Sequence, residues 1–197
     1  METNLSPTFT AFEGRKRIAA GDGEAVSAAL RKSLGRKGHG ALLVFRDGTG
    51  EQVDFDGHGV LALRQEAGRG VGRPKLGVVA REVTLLPRHW EWLNEQPGGA
   101  SAALRRLVDG ARKENAGKDR VRRAREAAHR FATAMAGNEA GFEEAMRALF
   151  AGREEDFARW TGAWPEDVRE YARELAREAF AEGDAGAEVA ERSSRSL

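Results

Sequence analysis

Side chains that could perform acid–base or metal chemistry are few in this sequence, and they stand apart. The four histidines are His39, His58, His89 and His129, and no two of them have the HExxH spacing of a zinc site. Asp54, Asp56 and His58 lie close together, but they follow a predicted strand, where polar residues usually form a solvated turn. The chain also lacks cysteine and a GxSxG motif. We therefore expect no enzyme, no catalytic residue, no metal site and no cofactor.

Arginine and lysine are the more informative groups, because their side chains pair with phosphate. The formal net charge of the 197 residues is only +1. Residues 1–137 nevertheless carry 24 Lys and Arg against 16 Asp and Glu, whereas residues 138–197 carry 8 against 15. A basic body with an acidic end is typical of a chain that binds a polyanion, although both parts can also be ordinary solvated surface.

The elements that must position these groups predict an α+β fold. Residues 1–67 are predicted to form a small ββαββ sheet domain, because short apolar strands flank an amphipathic helix. Its predicted strands are 8–13, 15–20, 41–45 and 52–55, and its helix is 24–34. The remaining predicted parts are a basic Gly-rich linker at 68–77, a strand-helix-helix unit at 78–114, a helical region at 118–180 and a disordered tail at 181–197.

The segment 78–114 has a distinctive order of elements. Val78–Leu86 is the strongest strand pattern in the chain, and Pro87 suits the first position of a helix that follows at 88–96. Two glycines, Gly98 and Gly99, separate it from a second helix at about 101–111. This order resembles the ribbon-helix-helix family of bacterial repressors and antitoxins, of the Arc/MetJ type.

The ribbon-helix-helix resemblance implies a homodimer that binds DNA. One strand from each protomer would pair antiparallel, and the resulting ribbon would enter the major groove, which is about 12 Å wide. A lone strand cannot satisfy its edge, so this function requires a dimer. The N-terminus of the second helix would offer backbone N–H groups to a phosphate, with the Ser101 hydroxyl as a helix cap.

Affinity for DNA should come mainly from arginines, because the strand offers few base-reading groups. Its groove-facing set is either Glu82, Thr84 and Leu86 or Arg81, Val83 and Leu85. The preceding run Arg69–Lys75 resembles an AT-hook core, in which a Gly-Arg-Pro turn lays an extended arginine into a narrow minor groove. The predicted DNA contacts are Arg69, Arg73, Lys75, Arg81, Thr84, Arg88, Ser101, Arg105, Arg120, Arg122 and Arg123.

The whole chain is also similar to an uncharacterised bacterial family, DUF2239. The run that carries this resemblance is GRPKLGVVAREVTLLPRHW, from Gly72 to Trp90. The resemblance implies that the N-terminal sheet and the C-terminal helices belong with the central segment. It implies no particular activity.

Two other interpretations are open. In the first, Val78–Leu86 is a core strand, Trp90, Trp92 and Leu93 are packing residues, and the chain is a monomer without affinity for DNA at moderate salt. In the second, the chain is a protein-interaction or antitoxin-like module that does not bind DNA. Its acidic C-terminal helices would then hold a basic partner protein, or fold back over the basic part of the chain.

The sequence also predicts a location. No apolar run approaches the roughly 20 residues that span a bilayer. Met1–Pro7 has neither the basic start nor the apolar stretch of a secretory signal, and the absence of cysteine suits a reducing interior. We therefore expect a cytoplasmic homodimer without membrane contact, acting in transcription regulation or as a nucleoid-associated protein.

Overall fold

The computed structural model describes residues 7–36, 38, 40–55 and 81–181. Several sequence predictions lie outside the described residues, namely the linker at 68–77, strand residues 78–80, Asp56, His58 and the tail at 182–197. The chain divides into two compact units. The first comprises residues 1–69 and 120–197, and the second comprises residues 70–119.

The first unit is built on a four-stranded antiparallel sheet. Its strands are β1 (Thr8–Glu13), β2 (Lys16–Asp22), β3 (Leu42–Arg46) and β4 (Glu51–Val53), in the order β2-β1-β3-β4. Helix α1 (Gly23–Leu34) connects β2 to β3. It begins where the Asp22 carboxylate accepts a hydrogen bond from the Ala25 amide at 2.8 Å. The predicted ββαββ order and the α+β class are confirmed.

Both faces of this sheet are buried. Successive side chains of a strand point to opposite faces, and β1 and β3 carry apolar residues at both sets of positions. Phe9 and Val44 share one cluster with the apolar side chains of α1. Phe12 and Phe45 lie on the opposite face and belong to a second, larger cluster. A sheet with two apolar faces needs a second covering layer.

The remaining helices of the described residues are α2 (Pro87–Glu95), α3 (Gly99–Glu114), α4 (Ala116–Ala136), α5 (Phe142–Phe150), α6 (Glu154–Trp160) and α7 (Glu166–Ala176). The last four of these, α4 to α7, supply that layer. Phe131 of α4 has its ring centroid 5.5 Å from that of Phe12 and 4.9 Å from that of Phe45. Tyr171 of α7 packs edge-on against Phe131, with centroids 4.7 Å apart.

The sheet and these helices therefore share one core. This differs from the predicted division into a domain at 1–67 and a separate helical region at 118–180. The physical reason is the second apolar face of the sheet, which Phe12 and Phe45 would leave in water if the helices packed elsewhere. The boundary between the two compact units falls within α4, between residues 119 and 120.

The C-terminal helices follow the predicted pattern closely. Helices α5, α6 and α7 all lie within the predicted helical region at 118–180, and Pro165 stands at the N-cap of α7. Helix α7 ends at Ala176, and a 3-10 turn, Arg177–Phe180, follows it. Trp164 is buried just before α7, and its indole Nε1 donates to the Ala140 carbonyl at 3.2 Å. None of the described helices is long and apolar enough to cross a membrane.

The second unit contributes α2 and α3. Pro87 stands at the start of α2, as predicted, because its missing N–H costs nothing in the first turn. Residues 81–86 are irregular, so the prediction of a strand there is not met within this chain. A strand is stabilised by ladder hydrogen bonds, and this segment has no partner strand among the described residues.

Candidate functional site

The helix pair α2–α3 is the first candidate. Gly98 adopts a φ of +84°, a conformation that favours glycine, and it turns the chain between the two helices. Leu93 of α2 and Ala103 of α3 are buried. Beside them lies an open apolar groove of about 370 Å³, lined by Leu85, Arg88, His89, Trp92, Leu93, Leu104 and Leu107.

Large hydrophobic side chains are exposed along the same segment, and two of them, Trp92 and Leu107, also line the groove. Of the nine that are exposed among the described residues, six lie between residues 83 and 108. They are Val83, Leu86, Trp90, Trp92, Leu107 and Val108, with exposed fractions from 37% for Trp90 to 54% for Val108. Exposed apolar surface that is concentrated in one segment commonly marks an interaction site. We call residues 81–114 the apolar segment.

The predicted DNA contacts of the apolar segment are Arg81, Thr84, Arg88, Ser101 and Arg105, and all five are exposed. The prediction that the Ser101 hydroxyl caps the second helix is wrong. Helix α3 starts two residues earlier, at Gly99, with Gly98 as N-cap and no side-chain cap hydrogen bond. The left-handed conformation of Gly98 sets this earlier start. The Ser101 carbonyl instead accepts a hydrogen bond from Arg105 Nε at 3.2 Å.

Helix α4 carries the next three predicted contacts in its second turn. Arg120, Arg122 and Arg123 are exposed, whereas the neighbouring Val121 and Ala124 are buried. Arg122 lies 3.9 Å from Glu126, an exposed pair one helical turn apart that contributes little to stability. The last three predicted contacts, Arg69, Arg73 and Lys75, lie outside the described residues.

A depression in the first unit brings together arginines that are distant in sequence. Its volume is about 880 Å³, and it is open to solvent. The walls come from β1, β2, the turn after β3, the start of α4, and α7 with the turn that follows it. Its charged lining residues are Arg17, Arg120, Arg123, Arg177, Asp47, Glu174 and Glu178. We call it the arginine-lined depression.

Three buried or half-buried polar groups line the depression near the sheet. The Asp47 carboxylate accepts hydrogen bonds from the Thr10 hydroxyl, at 2.8 Å, and from the Tyr171 hydroxyl through the same Oδ1 atom. Beside them, Arg17 donates to both carboxylate oxygens of Glu174, at 2.9 and 3.2 Å. The guanidinium carbon of Arg17 lies 5.9 Å from the centroid of the Tyr171 ring. Asp47 and Glu174 are thus already engaged by donors of this chain.

Sequence reasoning found Arg120 and Arg123 but missed the rest of this group. In the sequence, Tyr171 belongs to the apolar stripe of a helix and Asp47 to a turn pattern, and neither pattern indicates a shared site. One signal was present, because Tyr171 is the single tyrosine of the chain and a buried tyrosine hydroxyl usually has a hydrogen-bond partner. Among the residues that the structure describes, no group of three His, Asp or Glu could hold a metal ion.

Comparison with known proteins identifies a family. The sequence model of a family described as an uncharacterised protein conserved in bacteria, DUF2239, matches residues 8–176. The chain belongs to the DUF2239 family. No curated protein and no solved structure matches it. The predicted resemblance to this family is confirmed.

The extent of the DUF2239 match agrees with the folded elements. It begins at Thr8, the first residue of β1, and ends at Ala176, the last residue of α7. The match includes residues of both compact units. The apolar segment therefore falls within the part of this DUF2239 protein that the family model covers, and so does the arginine-lined depression except for Arg177 and Glu178.

Tyr171 should resist ionisation in the folded protein. Burial, and then hydrogen bonding to Asp47, raise the pKa of its phenol well above the usual value of 10.0. The raised pKa favours the neutral phenol, so this contribution to stability is complete below about pH 10 and is lost as the pH rises further. The near-ultraviolet absorbance of phenolate should therefore be absent from the native protein at about pH 11 and present in urea. Phenolate formation near pH 10 without unfolding would contradict the buried hydrogen bond.

Proposed function

We propose that this DUF2239 protein forms a homodimer through its apolar segment and binds DNA through arginines and lysines of the dimer. The observation that carries the proposal is the set of six large hydrophobic side chains exposed between residues 83 and 108. Burial of a large apolar side chain contributes about 1.5–3 kcal/mol, so covering this patch would favour association strongly.

A second copy of the chain is the partner that suits the apolar segment best. The segment carries six Lys and Arg against five Asp and Glu, so two copies would not repel each other strongly. Residues 81–86, which lack a partner strand among the described residues, precede α2 directly. Pairing of this segment with its copy would satisfy its backbone groups and produce the two-stranded ribbon of a ribbon-helix-helix dimer.

Contacts to DNA are proposed mainly for the phosphates. The charges of the apolar segment nearly balance, so it attracts DNA only weakly, and we expect it to contribute little to recognition of the base sequence. The stretch 118–125 is more basic, with Lys118, Arg120, Arg122, Arg123 and Arg125 against Asp119 alone. Arginine pairs with phosphate oxygens through two parallel hydrogen bonds, and each such contact releases a counterion from DNA. Binding should therefore depend steeply on salt.

The oligomeric state of the full chain tests the dimer. Light scattering after size-exclusion chromatography should give twice the 21.4 kDa chain mass for the natural sequence. Glutamates in place of the exposed Leu107 and Val108, L107E with V108E, should give a monomer, because burial of two carboxylates at the interface is costly. The matched control is L34E, since Leu34 is also exposed but lies on α1. A monomeric natural sequence would rule out the ribbon.

Salt-dependent binding tests the DNA contact. Six phosphate contacts in a dimer should weaken the affinity for a duplex of about 20 bp by roughly a thousandfold between about 50 and 200 mM salt. The K118Q/R122Q variant should lower the salt dependence of binding, because it removes two exposed cations. Neither residue lines the arginine-lined depression, so the variant leaves that lining unchanged. Fluorescence anisotropy measures both effects. Absence of binding even at low salt would overturn the DNA contact.

A second candidate is a protein-interaction module without DNA binding. Two features of the apolar segment favour it. The near balance of charge gives little attraction to DNA, and the groove lined by Trp92 and Leu107 would suit an apolar helix of another protein equally well. The two candidates differ in one measurement. A natural sequence that fails to bind the duplex at low salt would support the interaction module.

A further inference from the structure

The arginine-lined depression has the dimensions of a small-molecule site. Its volume of about 880 Å³ lies within the roughly 300–1,000 Å³ range of ligand pockets. It is walled by both the sheet and the helices of the first unit and is open to solvent, so a compact ligand can enter it.

Four arginines and three carboxylates line the depression. Arg17 and Glu174 form a two-pronged ion pair, and Asp47 accepts hydrogen bonds from two hydroxyls. The lining also holds three further arginines, Arg120, Arg123 and Arg177, and one further carboxylate, Glu178. Without the Arg17–Glu174 pair, the lining holds three arginines against two carboxylates, Asp47 and Glu178.

The three arginines come from two helical segments. Arg120 and Arg123 are three residues apart on α4, so their side chains leave the same side of that helix. Arg177 stands at the end of α7. Neither Arg120 nor Arg177 has a hydrogen bond or ion pair to another side chain within the described part of the chain. Guanidinium groups from different helices can hold separate oxygens of one phosphate group.

We propose that the arginine-lined depression binds a compact phosphorylated small molecule, with its phosphate oxygens held by Arg120, Arg123 and Arg177. Glu178 and the oxygens of the Thr10 and Tyr171 hydroxyls then offer acceptors to the polar remainder of the ligand. This site depends neither on self-association nor on DNA binding, because every residue of it belongs to the first unit of a single chain.

Calorimetric titration of the full chain with sodium pyrophosphate at constant ionic strength tests the site. The expected result is saturable binding, absent with sodium chloride at equal ionic strength. Replacement of two of the arginines, in R120Q/R123Q, should weaken pyrophosphate binding at least tenfold, as expected for loss of charge-assisted hydrogen bonds. The matched control is R31Q/K32Q, which removes the same charge from the exposed end of α1 and should bind as the natural sequence does.

Other outcomes decide against the site. Absence of saturable binding, or equal binding by R120Q/R123Q and the natural sequence, would overturn it. If R120Q/R123Q does not fold, R177Q on the other helix replaces it as the test. A labelled duplex of about 20 bp distinguishes the source of the phosphate. If the duplex binds and pyrophosphate neither binds nor competes, the arginines serve DNA phosphates and the small-molecule site is refuted.

Discussion

Substitution of Gly50 by alanine is expected to destabilise the first unit severely. A Cβ atom at this position would lie 2.0 Å from the carbonyl oxygen of Ala127 on α4, and the backbone φ of +63° is itself unfavourable for alanine. The turn cannot easily move away. Arg130 Nη1 donates to the Thr49 carbonyl at 2.8 Å, and the Gly50 amide donates to the Arg46 carbonyl at 3.0 Å.

Gly48, in the same turn, provides the matched control. Its φ is +78°, but nothing lies within 4 Å of the position that a Cβ would take. G48A should therefore cost only the left-handed conformation, about 1–2 kcal/mol. G50A should add an overpacking cost of about 1–3 kcal/mol or more. Urea denaturation followed by circular dichroism measures both, and equal stabilities would contradict the close approach of the turn to α4.

The second large effect is expected at Phe131. This side chain is fully buried, and its ring contacts those of Phe12, Phe45 and Tyr171. Truncation to alanine, F131A, should cost about 3–5 kcal/mol through lost burial and the cavity left behind. A typical domain is stable by only about 5–15 kcal/mol, so much of the folding free energy would be lost.

Hydrogen exchange would show where the stability is lost in F131A. Because Phe131 joins the sheet to the helices, amides of β1 and β3 should lose protection together with those of α4 and α7. The control is F150A, since Phe150 is 51% exposed and its truncation should cost little. Unchanged protection in the sheet of F131A would contradict the shared core and favour separate domains.

The local elements were predictable because their signals are local. Alternation marks β1, the Asp22 cap and apolar spacing mark α1, and the bounds of α5 follow directly from its apolar stripe. The start of α3 was placed too late because the polar Ser101 is a stronger cap signal than glycine, yet Gly98 already turns the chain. Residues 81–86 have the strand composition but lack the partner that a strand requires.

The candidate site was less predictable, because its residues meet only through the fold. Arg17 and Glu174 are 157 residues apart, and Asp47 and Tyr171 are 124 residues apart. No periodicity within one element reports such contacts. Phe12 and Phe45 carried the relevant information, since a strand that is apolar on both faces requires a second layer. Phe9 and Ala11 alone indicate only the face of β1 that α1 covers.

The division of the first unit into two distant stretches has a consequence for synthesis. Strands β1 to β4 are complete by residue 53, but α7, which carries Tyr171, ends only at residue 176. At roughly 5–20 residues per second, the Phe12 face of the nascent sheet waits on the order of ten seconds for its covering helices. An apolar sheet face open for that time is a target for chaperones that hold nascent chains. Slow translation between codons 54 and 120 should therefore lower the yield of folded protein more than slow translation after codon 176.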